Sequence, residues 1–138
     1  MKYLGIDYGS KRIGLAISDE EARLAFPFKI IKNENNKNNE KLLKEIQNIL
    51  KEKNIKNIVI GESLNGSGDL NKISKDIKTF ASDLEKQNLD LEILFEKEWY
   101  STVEARRLDN RKETDDSAAA IILQRYLDRI NRINENNI

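Results

Sequence analysis

The chain has 138 residues, and its 24 basic and 24 acidic side chains leave a formal net charge of zero. It contains no cysteine and no histidine, which excludes disulfides, metals held by cysteine or histidine, and imidazole-based catalysis. The charge balance argues against a strongly basic protein that coats nucleic acid, and no run approaches the roughly 18 apolar residues that cross a membrane. Any catalysis must use carboxylates, hydroxyls, lysine or arginine, and carboxylates favour hard cations such as Mg²⁺ and Mn²⁺.

Residues 2–19 predict a β-hairpin. Apolar side chains alternate with other residues on both sides of a turn at Gly9 and Ser10. Asp7 ends the first apolar run, although aspartate is a poor strand former and is costly to bury without compensation of its charge. An aspartate at this position indicates a bound cation, a phosphate-bound metal or a plain role in the turn.

The next three segments predict a strand, a loop and a helix. Residues 25–31 are apolar and contain Pro27, the only proline of the chain, which suits a strand at the edge of a sheet. Residues 32–39 are polar and rich in asparagine, and they predict a solvated connector. Residues 40–53 carry apolar side chains at the one-face spacing of an amphipathic helix.

Strands and helices then alternate. Residues 57–61 predict a buried strand, residues 62–68 a loop, residues 69–86 a second amphipathic helix and residues 90–96 a further strand. This order is typical of parallel strands joined by helical crossovers.

The last third of the chain predicts helices. Residues 101–107 begin with the S-x-x-E pattern of a capping box, and residues 109–114 read as a short polar linker. The final helix is predicted to begin near Asp115 or Asp116, and residues 134–138 are predicted to fray.

The order of elements predicts one α/β domain spanning residues 1–138. Three antiparallel strands are followed by two strands parallel to the first, in a mixed five-stranded sheet with helices on both faces. Ligands gather at the carboxyl ends of parallel strands in such sheets. The polar residues that we expect at these ends are Asp7, Asn65, Glu96 and Glu98. The start of the final helix, with Asp115 and Asp116, is able to reach the same edge if the preceding helix is short.

Carboxylates from three separate segments, without histidine or cysteine, are typical of a divalent-metal site that cleaves phosphodiesters. Like charges packed together repel, and metal ions relieve that repulsion. Two metals about 4 Å apart can activate a water and steady the leaving oxygen of an in-line displacement.

Four segments in the right order resemble one known family. They are GIDYGSKRIGLAISD at 5–19, GESLNGSG at 61–68, KEWYSTVEARR at 97–107 and DSAAAIILQRYL at 116–127. Together they are similar to the motifs of the YqgF-type family of pre-16S rRNA nucleases, also described as Holliday junction resolvase-like proteins. The resemblance spans essentially the whole chain and implies a ribonuclease H-like fold and a hydrolase that acts on phosphodiester bonds.

The resemblance also implies roles for individual residues. Strand alternation alone does not choose between Glu96 and Glu98, or between Asp115 and Asp116. The family motifs favour Asp7, Glu98 and Asp116 as the catalytic, metal-binding acids. The residues implied in nucleic-acid binding are Lys11, Arg12, Asn65, Arg106 and Arg111. Lys97 and Trp99 stand where the family usually has aspartate and arginine, which puts substrate binding in question more than metal binding.

The resulting hypothesis is a cytoplasmic nuclease, dependent on Mg²⁺ or Mn²⁺, that processes the 5′ end of pre-16S rRNA. It is expected to act as a monomer or homodimer without a membrane partner. The RNA substrate comes from the family alone, and a Holliday junction resolvase acting on DNA would use the same acids.

Two other classes of function remain open. The D-x-G-[ST] pattern at 7–10 also resembles the phosphate loop of the actin and sugar-kinase superfamily, although those proteins place the nucleotide between two such domains. The other alternative is a nuclease fold that serves as a non-catalytic module and binds nucleic acid or ribosome precursors.

Overall fold

A computed structural model describes residues 1–33, 39–64, 72–88, 90–99 and 115–136. Within these ranges the chain forms five strands and three helices. They are β1 (Tyr3–Tyr8), β2 (Arg12–Ser18), β3 (Ala25–Lys32), α1 (Glu40–Glu52), β4 (Asn57–Leu64), α2 (Lys72–Gln87), β5 (Glu92–Trp99) and α3 (Asp115–Asn136). None of the helices in these ranges is long and apolar enough to cross a membrane.

The strands form one sheet in the order β3-β2-β1-β4-β5. β2 is antiparallel to both β1 and β3, whereas β4 is parallel to β1 and to β5. The predicted mixed sheet is confirmed, and so is the edge position of the strand that contains Pro27. Proline lacks an N–H for a neighbouring strand, so an edge accommodates it at little cost.

Helices cover both faces of the sheet, as predicted. The apolar stripe of α1 is buried with α2 against one face, where alternate side chains of β1, β2 and β4 complete the core. On the opposite face, α3 packs its apolar side against Tyr3, Ala16 and Val59. The buried side chains of α3 are Ala119, Ile122, Leu123 and Leu127.

Several predicted boundaries are wrong. β4 continues to Leu64 and β5 to Trp99, because residues 62–64 pair with residues 97–99 and extend the ladder beyond the apolar run. Glu96 and Glu98 therefore lie within β5 instead of after it. α3 continues through Asn136, and the Asn131 amide donates to the Ala22 carbonyl, which fastens this end of the helix to the rest of the fold. The predicted helix at 101–107 lies outside the described residues.

Candidate functional site

Asp7 lies near the carboxyl end of β1, the central strand of the sheet. Its Cα pairs with that of Gly14 on β2, and the residue is half-buried. Gly5, two residues earlier, faces α3, so strand alternation puts Asp7 on the same face. The sequence prediction that Asp7 stands at the carboxyl edge of the sheet is consistent with this position.

The path of α3 brings its first turn towards Asp7. The Ala119 carbonyl oxygen lies 3.1 Å from the point that a Cβ of residue 5 would occupy, and the rings of Tyr126 and Tyr3 lie 5.6 Å apart. The helix therefore runs antiparallel to β1. Asp116 precedes Ala119 by three residues, or about 4.5 Å along the helix axis. The backbone of Asp116 thus lies towards the end of β1 that carries Asp7.

β5 contributes Glu96 to the same face. Leu94 packs among the α3 residues, so strand alternation puts Glu96 on the α3 side as well. The carboxylate of Glu96 is buried and accepts from both terminal nitrogens of Arg129 on α3, at 2.9 Å and 2.5 Å. Glu96 therefore forms a bidentate ion pair with Arg129, which strand alternation alone did not predict.

For Glu98 and Asp116 the structure describes only the backbone. The Cα of Glu98 pairs with that of Ser63 near the carboxyl end of β4. The backbones of Asp7, Glu98 and Asp116 therefore all lie towards the same edge of the sheet. Among the side chains that are described, no three acidic residues cluster closely enough to hold a metal ion. Asn65, Arg106 and Arg111 lie outside the described residues.

The turn between β1 and β2 follows directly after Asp7. The Gly9 N–H donates to the Arg12 carbonyl at 2.9 Å, and a Cβ on residue 9 would stand 2.5 Å from that oxygen. Only glycine fits this contact with backbone. The tight closure leaves the side chains of Lys11 and Arg12 exposed beside the carboxyl edge.

Asn33 fastens this turn, although the sequence analysis assigned it to a solvated connector. The residue is only 6% exposed. Its side-chain amide donates to the Gly9 carbonyl and its N–H to the Lys11 carbonyl, both at 2.8 Å. The prediction was wrong at Asn33 because the carbonyls of a tight turn need donors, and the residue that leaves β3 stands within reach. Nothing in the sequence distinguishes Asn33 from the asparagines that follow it.

Asn33 also contacts the ring that precedes the turn. Burial raises the pKa of the Tyr8 phenol, while a hydrogen bond with the Asn33 side chain acts in the opposite direction. Tyr8 in turn packs against Phe80 of α2, with ring centroids 5.2 Å apart. The end of β1 is therefore held from the α2 side of the sheet as well as by the turn.

Replacing Asn33 by alanine is expected to lower the free energy of unfolding by about 1–3 kcal/mol, because a buried acceptor loses its donor. The exposed Asn48 of α1 provides the matched control, and Asn48→Ala is expected to change stability by less than about 0.5 kcal/mol. Urea unfolding of the two variants measures the difference. Equal losses would show that Asn33 does not hold the turn.

Comparison with known proteins gives one consistent family. Residues 1–129 match the model of the RuvX family, described as Holliday junction resolvase. A protein of Pelagibacter ubique is 36% identical over 140 residues, covering 95% of this chain and 90% of its own length. A protein of Mycoplasmopsis synoviae is 38% identical over 137 residues, covering 93% and 98%. Both carry the name "Putative pre-16S rRNA nuclease".

Solved structures support the fold at low sequence identity. Thermus thermophilus RuvC, solved with a Holliday junction substrate, aligns with a TM-score of 0.59 at 14% identity, covering 92% of this chain and 94% of that one. The fowlpox virus Holliday junction resolvase aligns with a TM-score of 0.56 at 15% identity, covering 94% and 99%. The ribonuclease H-like fold expected from the sequence is confirmed. The match over residues 1–129, together with the extent of the relatives' identity, shows that the chain belongs to the RuvX family of nucleases.

Proposed function

We propose that the protein is a metal-dependent nuclease that uses Asp7, Glu98 and Asp116 to cleave a phosphodiester of precursor 16S rRNA in the cytoplasm. One observation carries the proposal. The antiparallel path of α3 over β1 directs the backbone of its first turn towards the edge of the sheet at which β1 and β5 end. Each of these three unconnected segments has an acidic residue near that edge in its sequence, which supports the proposal.

The donor set suits a hard divalent cation. Asp7, Glu98 and Asp116 offer only oxygen ligands, which Mg²⁺ and Mn²⁺ prefer. The bound ion supplies charge stabilisation at phosphoryl oxygens and lowers the pKa of its water. The chain's own part is to fix the donors: β1 holds Asp7 opposite Gly14 of β2, and Lys11 and Arg12 are available to donate to substrate phosphates outside the acidic site.

The Arg129 ion pair supports Glu98 over Glu96 as the third acid. Glu98→Gln is expected to slow cleavage by about a hundredfold or more, equivalent to about 2.7 kcal/mol of transition-state stabilisation. Glu96→Gln keeps the shape of the side chain and one acceptor for Arg129, so cleavage is expected to stay within a few-fold of native. Initial cleavage rates at saturating Mn²⁺ compare the two. A larger loss in Glu96→Gln would reverse the assignment.

A DNA junction is the second candidate substrate, because the family model that matches the chain carries the description Holliday junction resolvase. The two substrates are separated by incubating the protein with a labelled precursor 16S rRNA fragment and a labelled four-way DNA junction, with Mg²⁺, Mn²⁺ or EDTA. Cleavage of the RNA alone supports the proposal, and cleavage of the junction alone moves the function to DNA. If neither is cut while binding persists, the non-catalytic module replaces the nuclease proposal.

Oligomeric state bears on this choice. A two-fold dimer suits a four-way junction, whose symmetry requires paired cuts. Sedimentation of the protein with each substrate distinguishes a monomer from a homodimer.

A further inference from the structure

Two cations stand directly opposite each other at one end of the β2–β3 pair. The Cα atoms of Arg12 and Lys32 are register partners, and both side chains are exposed. Among the described residues, the ion pairs are Lys29 with Glu45 and Arg129 with Glu96, so neither Arg12 nor Lys32 is neutralised there. Like charges directly opposite on neighbouring strands destabilise a sheet. An anion bound between the two side chains would attract both of them and offset their mutual repulsion.

The sheet register puts this pair on the face that carries Asp7. Ile13 and Ile31, the next partners along the two strands, are buried in the core beneath α1. Arg12 and Lys32 therefore face the α3 side by alternation. The following pair on that face is Gly14 with Ile30, and Gly14 is also the partner of Asp7. The two cations thus lie one step further along the same face, beyond the row that contains Asp7.

The backbone around the pair is fixed before any ligand binds. Asn33, next to Lys32, donates to the carbonyls of Gly9 and Lys11 on the other side of the pair. The spacing of the two Cα atoms is therefore set by the sheet ladder and by the Asn33 hydrogen bonds. Such preorganisation reduces the ordering cost of binding an anion.

We propose that Arg12 and Lys32 together bind a backbone phosphate of the nucleic-acid substrate, next to the one that is cleaved. The proposal rests on the proposed nuclease function and adds Lys32, which lies outside the four motif segments at 5–19, 61–68, 97–107 and 116–127. A guanidinium and an ammonium side by side suit the oxygens of one phosphodiester. The contact positions the strand without reading its bases.

The strand that carries Lys32 also supplies its control. Lys29 lies three residues earlier, is exposed, and faces α1, where it pairs with Glu45 at 3.1 Å. Lys29→Gln removes the same charge from the same strand on the other face. Lys32→Arg keeps the positive charge and changes the rest of the side chain. It therefore separates an effect of the charge from an effect of replacing the lysine itself.

The experiment measures fluorescence anisotropy of labelled precursor-rRNA fragment and four-way junction in EDTA, from 50 to 200 mM KCl. Loss of one phosphate contact is expected to reduce the slope of log affinity against log salt by about 1. Between 50 and 200 mM KCl the affinity of the native protein is therefore expected to fall about fourfold further than that of Lys32→Gln. Lys29→Gln and Lys32→Arg are expected to keep the native slope.

Two outcomes would overturn the phosphate site while leaving the nuclease proposal intact: native affinity and slope in Lys32→Gln, or an equal loss in Lys29→Gln. Failure of the native protein to bind either nucleic acid would overturn both proposals.

Discussion

Asp7→Asn is expected to abolish metal-dependent cleavage, lowering the initial rate by at least about a hundredfold, which corresponds to about 2.7 kcal/mol of transition-state stabilisation. The change is nearly isosteric, so it removes the charge while preserving the shape of the half-buried side chain. The proposed metal site then loses a donor from the central strand, which is paired with a neighbour on each side. The readout is the rate at saturating substrate over a series of Mn²⁺ concentrations.

Asp90→Asn is the matched control for this variant. Asp90 is exposed and precedes β5, so it lies at the amino end of the parallel strands, opposite the proposed site. The Asp90→Asn variant is expected to cleave the substrate at the native rate. Melting curves of both variants exclude unfolding as the cause of any loss. Cleavage by a folded Asp7→Asn variant at the native rate would remove Asp7 from the proposed site.

Gly5→Ala is expected to damage both the fold and the site. The new Cβ would stand 2.8 Å from the Leu123 Cβ and 3.1 Å from the Ala119 carbonyl oxygen. Both atoms belong to parts of α3 that no rotamer change can move, so the helix must shift away from β1. Overpacking of this kind costs about 1–3 kcal/mol. Because the same helix carries Asp116 in its first turn, cleavage is expected to fall along with stability.

Gly61→Ala is the control for Gly5→Ala, because it adds the same methyl group against a flexible side chain instead of against fixed atoms of α3. Its Cβ would stand 2.6 Å from the Ile122 Cδ1, the end of a flexible side chain. The cost is expected to be smaller than at Gly5, and Ile122→Val is expected to relieve it because valine lacks that atom. Urea unfolding and cleavage rates are measured for all variants. A Gly5→Ala protein as stable and active as Gly61→Ala would contradict the close packing of α3 on β1.

Local sequence patterns were sufficient to predict much of the sheet. The alternation around Gly9, the edge position of Pro27 and the helical crossovers each depend on neighbouring residues, and together they led to the observed mixed sheet. The position of Asp7 followed from the same patterns. Strand ends were predicted less well, because β4 and β5 extend each other by backbone pairing that does not require apolar side chains.

Contacts between distant residues explain what the sequence did not predict. Strand alternation does not choose between Glu96 and Glu98, and the fold adds that Glu96 is paired with Arg129, 33 positions later in the chain. Asn33 is one asparagine in a polar run until the fold brings it 2.8 Å from the Gly9 carbonyl. Lys32 gains its proposed role only from its register with Arg12. The roles of Asn65, Arg106 and Arg111 stay predictions.

The convergence of three acids on one metal site is tested most directly by iron-mediated backbone cleavage. Fe²⁺ is substituted for Mg²⁺, ascorbate and peroxide generate short-lived radicals at the bound ion, and mass spectrometry locates the cuts. We expect cuts in three separate segments, around Asp7, Glu98 and Asp116, that excess Mg²⁺ suppresses and that Asp7→Asn abolishes. Cuts confined to one segment, or an unchanged pattern in Asp7→Asn, would contradict the proposed site.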